Sequence, residues 1–90
     1  ADPGREAPAA LVSVARLMMV VGLDPAPVLL RSHAAHPADF RLAFHLGDVF
    51  LARDPVRAAG FYRTARGLRP DNFAANINFG VALLKTGDAE

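Results

Sequence analysis

The fold of this chain is decided by residues 37–87, which read PADFRLAFHLGDVFLARDPVRAAGFYRTARGLRPDNFAANINFGVALLKTG. When this stretch is shifted by 33 positions, Pro37 falls on Pro70. Under the same shift Gly47 falls on Gly80, and apolar residues fall on apolar residues. Such a period is typical of arrays of helical hairpins, in which stacked neighbours bury an apolar face that no hairpin covers alone. The repeat therefore predicts stacked helix pairs.

Four of the predicted helices begin at a capping residue within two positions of a proline. The Asp-Pro pairs at 24–25 and 54–55 each place a carboxylate, which accepts backbone N–H bonds, before a residue that lacks an N–H. Asp39 and Asn72 follow shortly after a proline and can cap the next helices, and Gly22 ends the first helix. No stretch alternates apolar and polar residues for long enough to indicate a strand. The predicted helices span about residues 8–22, 25–35, 39–52, 55–68 and 72–86.

The composition indicates a folded domain and excludes several classes of protein. The chain has 90 residues, 52% hydrophobic and 21% charged, which argues against intrinsic disorder. The absence of cysteine excludes a disulfide framework, a zinc finger and a thiol nucleophile. The formal net charge is +1, whereas a nucleic-acid or anionic-membrane binder driven by electrostatics usually has a larger imbalance. The apolar run at 9–23 is shorter than a membrane span of about 20 residues and contains Arg16.

Both ends of the sequence indicate a piece of a longer protein. Residues 1–7 contain Pro3 and Gly4, and we expect them to form a disordered lead-in. The chain does not start with methionine, and Gly87-Asp88 reads as a helix stop before another helix. We therefore expect flanking segments that carry any targeting signals.

No pattern in the chain is typical of a catalytic or metal site. It contains no glycine-rich phosphate loop, no His-Glu-x-x-His and no Gly-x-Ser-x-Gly. Ser32 falls on an alanine of the next repeat, which favours a packing role over that of a nucleophile. His33 and His36 lie three residues apart, as do His45 and Asp48. A metal site needs three or four ligands, so we predict no metal, no cofactor and no enzyme activity.

The middle repeat is the most basic part of the chain. A surface that binds RNA or DNA would need exposed aromatic side chains between its arginines. Phe61 and Tyr62 lie in this part, but Tyr62 occupies a core position of the repeat. A solvated outer face is therefore favoured over a nucleic-acid interface. The arginines are Arg53, Arg57, Arg63, Arg66 and Arg69.

The repeat resembles the tetratricopeptide repeat (TPR) family, although the usual Trp position is Ala43 in one repeat and Asn76 in the next. The resemblance implies an antiparallel helix-pair solenoid of about five helices in two and a half repeats. Its implied parts are a degenerate TPR-like pair at 8–36, a TPR at 37–70 and the first helix of a truncated TPR at 71–90. The matching residues, which the resemblance assigns to packing between helices, are Leu46, Gly47, Phe50, Ala58, Tyr62, Ala65, Pro70, Phe79, Gly80 and Leu83.

The small residues of this pattern have a physical reason. Gly47 and Gly80 have no side chain, and we expect them to face a neighbouring backbone, which lets helices approach within about 8–10 Å. Glycine inside a helix costs about 0.5–1 kcal/mol relative to alanine, so its recurrence at equivalent positions indicates a packing role. Ala58 and Ala65 are the small residues of the second helix, and Tyr62 is a large side chain that fills the remaining space.

The resemblance also implies a functional surface, the concave face formed by the first helix of each pair. Such a groove binds an extended or helical peptide, which implies a non-catalytic protein–protein interaction scaffold. The TPR subclass that binds chaperone C-termini is matched only at Asn78, so a different peptide is expected. Alternatively, Phe44 and Ile77 belong to the core between repeats. The groove candidates are Arg16, Met19, Arg41, Phe44, Asp48, Ala52, Ala74, Ile77, Asn78, Val81 and Lys85.

A second interpretation makes the chain a structural spacer or a self-association segment. A helix beyond residue 90 is expected to cover Phe79, Leu83 and Leu84, and a second copy of the chain could cover them instead. The residues around the two prolines are similar to TPR tails of large bacterial proteins, including regulatory tails of some serine/threonine kinases. The expected partner is a protein, a peptide or a second copy, with no nucleic acid and no membrane. The expected location is the cytoplasm.

Overall fold

Five α-helices form the fold in the computed structural model, which describes residues 8–87. No strand occurs in this range, so the all-α prediction is confirmed, and none of its helices is long and apolar enough to cross a membrane. The predicted lead-in at 1–7 and the residues after 87 lie outside the described part. The helices are α1 (Pro8–Val20), α2 (Ala26–Ala35), α3 (Phe40–Phe50), α4 (Pro55–Leu68) and α5 (Phe73–Thr86).

Side-chain caps fix the start of three helices where the sequence predicts them. Asp39, Asp54 and Asn72 each accept a hydrogen bond from the backbone N–H three residues later, at 3.1, 3.2 and 2.9 Å. Each bond satisfies an N–H group that the helix itself leaves without a partner. These caps are confirmed.

The start of α2 differs from the prediction by one residue. Pro25 is the N-cap and Ala26 the first helical residue, whereas Asp24 lies one position earlier. The Asp24 carboxylate still accepts a hydrogen bond from the Ala26 N–H at 3.0 Å, and it also accepts one from the Arg53 guanidinium at 3.1 Å. Asp24 therefore ties the start of α2 to the segment after α3.

Helices α3 and α4 run antiparallel. On α3, Gly47 faces the ring of Tyr62, and Phe50 stacks on Phe61 with a centroid distance of 5.8 Å. Residue numbers therefore increase along α3 in the direction in which they decrease along α4. This is the hairpin that the repeat predicts.

The main core contains buried residues from all five helices. Its largest fully buried side chains are Leu29 of α2, Leu42 and Leu46 of α3, and Tyr62 of α4. Each buried side chain of this kind contributes about 1.5–3 kcal/mol relative to an exposed one. The core therefore supplies most of the apolar burial that holds the hairpins together.

A second cluster consists of alanines from three helices. Ala43, Ala65 and Ala75 come from α3, α4 and α5, and all three are fully buried. Three methyl groups occupy little space, so α4 can lie close to both of its neighbours. Ala43 holds the position where the TPR pattern usually has a Trp, and the close packing on Ala65 is compatible with that departure.

The two glycines of the repeat differ in surroundings. An ideal Cβ at Gly47 would lie 2.4 Å from Cε1 of Tyr62, so this glycine faces a side chain rather than the expected backbone. A Cβ at Gly80 meets no neighbouring atom within 4 Å. The packing role predicted for Gly80 is therefore not found within residues 8–87, because no described helix follows α5 as α4 follows α3.

One further packing prediction, that for Pro70, needs correction. Pro70 is exposed, and its carbonyl accepts a hydrogen bond from Nδ2 of Asn76 at 2.9 Å. This bond connects the turn before α5 to the first turn of that helix. Phe79 and Leu83 pack against the main core and are partly buried. Both belong to the last helix of the described residues, where one side of the array has no neighbour.

Candidate functional site

A cavity of about 260 Å³ opens between α1 and α3, at the face where the groove is predicted. Its floor is apolar and its rim carries three polar side chains, so it combines a desolvated interior with groups that can orient a ligand. The lining residues are Val12, Ala15, Arg16 and Met19 from α1, Leu29 from α2, and His45, Asp48 and Val49 from α3.

Asp48 is the best-connected polar group of this site. The Tyr62 hydroxyl donates to Oδ1 of Asp48 at 2.5 Å, and Nδ1 of His45 lies 3.8 Å from Oδ2. Burial raises the pKa of Tyr62 well above its ordinary value, Asp48 raises it further, and the nearby Asn78 side chain opposes both. Tyr62 is therefore a fixed hydrogen-bond donor that positions the Asp48 carboxylate.

His45 faces two opposite charges across the cavity rim. Burial lowers its pKa, the Asp48 carboxylate raises it, and Arg16 lowers it, so that the pKa lies below the ordinary value. The imidazole is neutral at neutral pH and can both donate and accept one hydrogen bond. Sequence reasoning recognised its spacing to Asp48 but did not place His45 in the groove; its position beside Phe44 on α3 is the signal that could have done so.

The structure brings three of the predicted groove residues together and leaves others apart. Arg16, Met19 and Asp48 line the same cavity. Arg41 lies elsewhere on α3, where its guanidinium pairs with Asp39 at 3.6 Å. Of the remaining predicted residues, Asn78 is near the Tyr62 hydroxyl. Val81 is half-buried, whereas Ala52, Ala74, Ile77 and Lys85 are exposed.

Phe44 packs between helices, as the alternative interpretation holds, whereas Ile77, the other residue of that interpretation, is 46% exposed. Its ring lies 5.6 Å from that of Phe40, and 5.8 Å from those of His45 and Tyr62, between centroids. The two contacts at 5.8 Å are edge-on, a geometry that aromatic pairs prefer. Phe44 thus packs against His45, which lines the cavity, and against Tyr62, which binds Asp48.

Ser32 and His33 pack against other residues, and His36 lies at the end of a helix. Ser32 is fully buried, and its Oγ has no hydrogen-bond partner among the described residues, in keeping with a small packing residue. His33 is half-buried with its ring edge-on to Phe61 at 5.7 Å, and burial lowers its pKa. His36 is at the C-cap of α2. Within residues 8–87, no three His, Asp or Glu side chains lie close enough to hold a metal ion.

The arginines of the middle repeat lie over aromatic rings. Each guanidinium is 4.2–5.3 Å from a ring centroid, within the range of a cation–π interaction. The contact covers ring surface that nucleic-acid bases would need for stacking. The geometry therefore favours the outer-face interpretation. The pairs are Arg53 and Arg57 over Phe50, Arg63 and Arg66 over Phe79, and Arg69 over Phe40.

Comparison with known proteins finds no matching family model, no matching curated protein and no matching solved structure. The resemblance to the TPR family thus depends on the quoted residues and stays a prediction.

The two half-buried histidines predict a dependence of stability on pH. Burial holds the pKa of both His33 and His45 below the ordinary value in the folded chain, so the unfolded chain binds more protons in mildly acidic solution. The folded chain therefore has its full stability above about pH 6.5, where both histidines are neutral. It loses stability as the pH falls below that value, because protons bind the unfolded chain more tightly. We expect a lower melting temperature at about pH 5 than at about pH 7.5, measured by circular dichroism.

The control for this prediction removes both titrating groups. The double variant His33→Gln/His45→Gln is expected to lose much of the difference in melting temperature between the two pH values. The range ends above about pH 4, where the aspartates of the unfolded chain take up protons. An unchanged difference in the double variant contradicts the assignment to these histidines.

Proposed function

We propose that the chain is a TPR-like scaffold that binds a peptide along the face formed by α1, α3 and α5. Arg16, Met19 and Asp48 carry the proposal, because three groove positions assigned from the sequence line one cavity although α1 and α3 are separated by a whole helix. The cavity has an apolar floor with polar groups at its rim, as peptide-binding grooves do. The proposal includes no catalysis and places the chain in a larger bacterial protein of the cytoplasm.

Peptides selected from a random displayed library test this proposal. Lys85 is exposed on α5 and pairs with no carboxylate among residues 8–87. We expect Lys85→Glu to weaken the selected peptides by about fivefold, the size of one exposed charge interaction, without lowering the melting temperature. Isothermal titration calorimetry measures the change. Arg31→Glu is the matched control, since Arg31 is exposed on α2 and outside the predicted groove.

Two results count against peptide binding. One is a library that yields no binder. The other is a set of binders whose affinity falls equally in Lys85→Glu and Arg31→Glu, because that pattern reports net charge rather than a groove.

Self-association is a second candidate, favoured by apolar side chains exposed on α5. Phe73, Ile77 and Leu84 are 77%, 46% and 67% exposed, and their spacing places them along one side of the helix. This stripe differs from the predicted patch, in which Phe79 and Leu83 accompanied Leu84. Sedimentation equilibrium of the calorimetry sample distinguishes the candidates, since a monomer at high concentration is evidence against self-association.

A further inference from the structure

We infer that two copies of the chain pair through α5 with the two helices antiparallel, so that α5 of the second copy covers a face that the described helices leave exposed. The inference rests on self-association, the second candidate of the proposed function, and specifies its surface and its geometry. Three features of the molecule support it: the corresponding face of α3, the order of residues along α5, and the charges at the ends of α5.

Helix α4 packs on one face of α3. Arg69, the C-cap of α4, has its guanidinium 4.6 Å from the ring centroid of Phe40. Farther along α3, the Tyr62 ring lies edge-on to Phe44 at 5.8 Å and occupies the space beside Gly47. The residues of this face follow one another in steps of four, three and four, which places them along one side of the helix. They are Phe40, Phe44, Gly47 and the C-cap Leu51.

The corresponding face of α5 is exposed. The shift of 33 positions places the α3 face on four residues, which we call the outer face of α5: Phe73, Ile77, Gly80 and Leu84. The three side chains of this face are 77%, 46% and 67% exposed. A Cβ at Gly80 meets no neighbouring atom within 4 Å, whereas one at Gly47 would overlap the Tyr62 ring. Within residues 8–87, the outer face of α5 therefore lacks the antiparallel helix that the α3 face has.

The outer face of α5 is complementary to itself. Its steps of four, three and four residues read the same from either end. When two copies lie antiparallel about a two-fold axis between Ile77 and Gly80, Phe73 of one copy faces Leu84 of the second copy. Ile77 then faces Gly80 of the second copy and can occupy the space beside it, as Tyr62 does at Gly47. A two-fold symmetric dimer requires this kind of self-complementarity, and helices pack side by side with this spacing.

The charges at the ends of α5 favour the antiparallel arrangement. Lys85 in the last turn is the only charged residue of the helix, and Asp71 directly precedes the N-cap Asn72. Neither Lys85 nor Asp71 forms an ion pair with another of residues 8–87. An antiparallel pair brings Lys85 of each copy beside Asp71 of the other copy, whereas a parallel pair brings like charges together. The centre of the interface contains no charged residue, as is usual for the core of an interface.

The dimer is expected to be weak. Three exposed side chains from each copy bury less than the total of about 1,200–2,000 Å² that is typical of stable complexes. At the micromolar concentrations used for circular dichroism the chain is then a monomer. Sedimentation equilibrium up to about 1 mM measures the dissociation constant of such a dimer.

Two substitutions on the outer face test the pairing of Ile77 with Gly80. Ile77→Gln removes the side chain that enters the space beside Gly80, and Gly80→Gln fills that space. Both are expected to weaken the dimer at least about tenfold. Neither should lower the melting temperature, because both positions lie on the exposed side of α5. Leu17→Gln is the matched control, since Leu17 is 64% exposed on α1 and its replacement should leave the dimer unchanged.

A charge exchange between copies tests the antiparallel arrangement. Lys85→Glu and Asp71→Lys should each dimerise about tenfold more weakly than the unmodified chain, because each places like charges at both ends of the interface. An equimolar mixture of the two variants should recover the original affinity, since Glu then faces Lys at one end and Asp faces Lys at the other. In a parallel pair, like positions meet and neither single variant should weaken the dimer.

The outcomes separate this inference from the proposed function. If the chain dimerises but Leu17→Gln weakens it as much as Ile77→Gln, or if the mixed variants do not recover, another surface associates and only this inference is wrong. A chain that stays monomeric at about 1 mM overturns both this inference and self-association, and peptide binding stands. If the monomer binds library-selected peptides that lose affinity in Ile77→Gln, a peptide covers the outer face and the inference is again wrong.

Discussion

Replacing Gly47 with alanine is expected to destabilise the chain by up to about 2 kcal/mol, because overpacking a well-filled core costs about 1–3 kcal/mol and the helix preference of alanine offsets part of that cost. The new Cβ would lie 2.4, 2.6 and 2.7 Å from Cε1, Cδ1 and Cζ of Tyr62, distances at which atoms overlap. Alanine favours the helix by about 0.8–1.0 kcal/mol over glycine, but that gain is smaller than the upper range of the overpacking cost.

The Tyr62 ring has little freedom to move away from a new methyl group. It is fully buried, and its hydroxyl is held by the bond to Asp48 at 2.5 Å. The ring of Phe44 lies edge-on to it at 5.8 Å. A displacement of the ring would break a hydrogen bond or disturb the aromatic contact, so α3 and α4 must move apart instead.

Gly80→Ala is the matched control, because Gly80 occupies the equivalent position one period later. A Cβ at Gly80 meets no neighbouring atom within 4 Å, so only the helix preference of alanine acts there. This variant should be as stable as the unmodified chain or more stable by up to about 1 kcal/mol. Urea denaturation followed by circular dichroism measures both. A loss of the same size at the two positions would contradict the description of the α3–α4 contact.

Local features of the fold could be predicted from the sequence because their causes are local. Asp39, Asp54 and Asn72 cap helices through hydrogen bonds that span three residues, so the sequence contains both partners. The start of α2 was predicted one residue early, since Pro25 is the N-cap and Ala26 the first helical residue. A second proline, Pro27, stands in the first turn of the helix, where a missing N–H is tolerated.

Features that depend on distant neighbours could not be predicted in the same way. The repeat makes Gly80 equivalent to Gly47, but equivalence in sequence does not supply the neighbouring ring that makes glycine necessary. Likewise, the count of arginines in the middle repeat does not reveal that they cover Phe50 and Phe79. His45 joins the candidate site only because α1 packs beside α3 and brings Arg16 to it.

Truncating Tyr62 is expected to have the largest effect of any single substitution in the described chain. Tyr62→Ala removes a fully buried aromatic ring from the contact between α3 and α4 and leaves a cavity. Such substitutions cost about 3–5 kcal/mol. A domain of this size has a total stability of about 5–15 kcal/mol, so the variant keeps only part of it and unfolds at a much lower urea concentration.

Tyr62→Phe separates the ring from the hydroxyl. This variant keeps the packing against Gly47 and loses the hydrogen bond to Asp48 together with the interaction between the hydroxyl and the Asn78 side chain. The Asp48 side chain is 41% exposed, so water can replace the lost donor, and we expect a loss of about 1 kcal/mol. Adding Asp48→Ala to Tyr62→Phe should cost less than the sum of the two single changes, because each removes the same bond. A loss for Tyr62→Phe as large as that for Tyr62→Ala would assign the stabilisation to the hydroxyl rather than to the ring, and would contradict the packing explanation of Gly47.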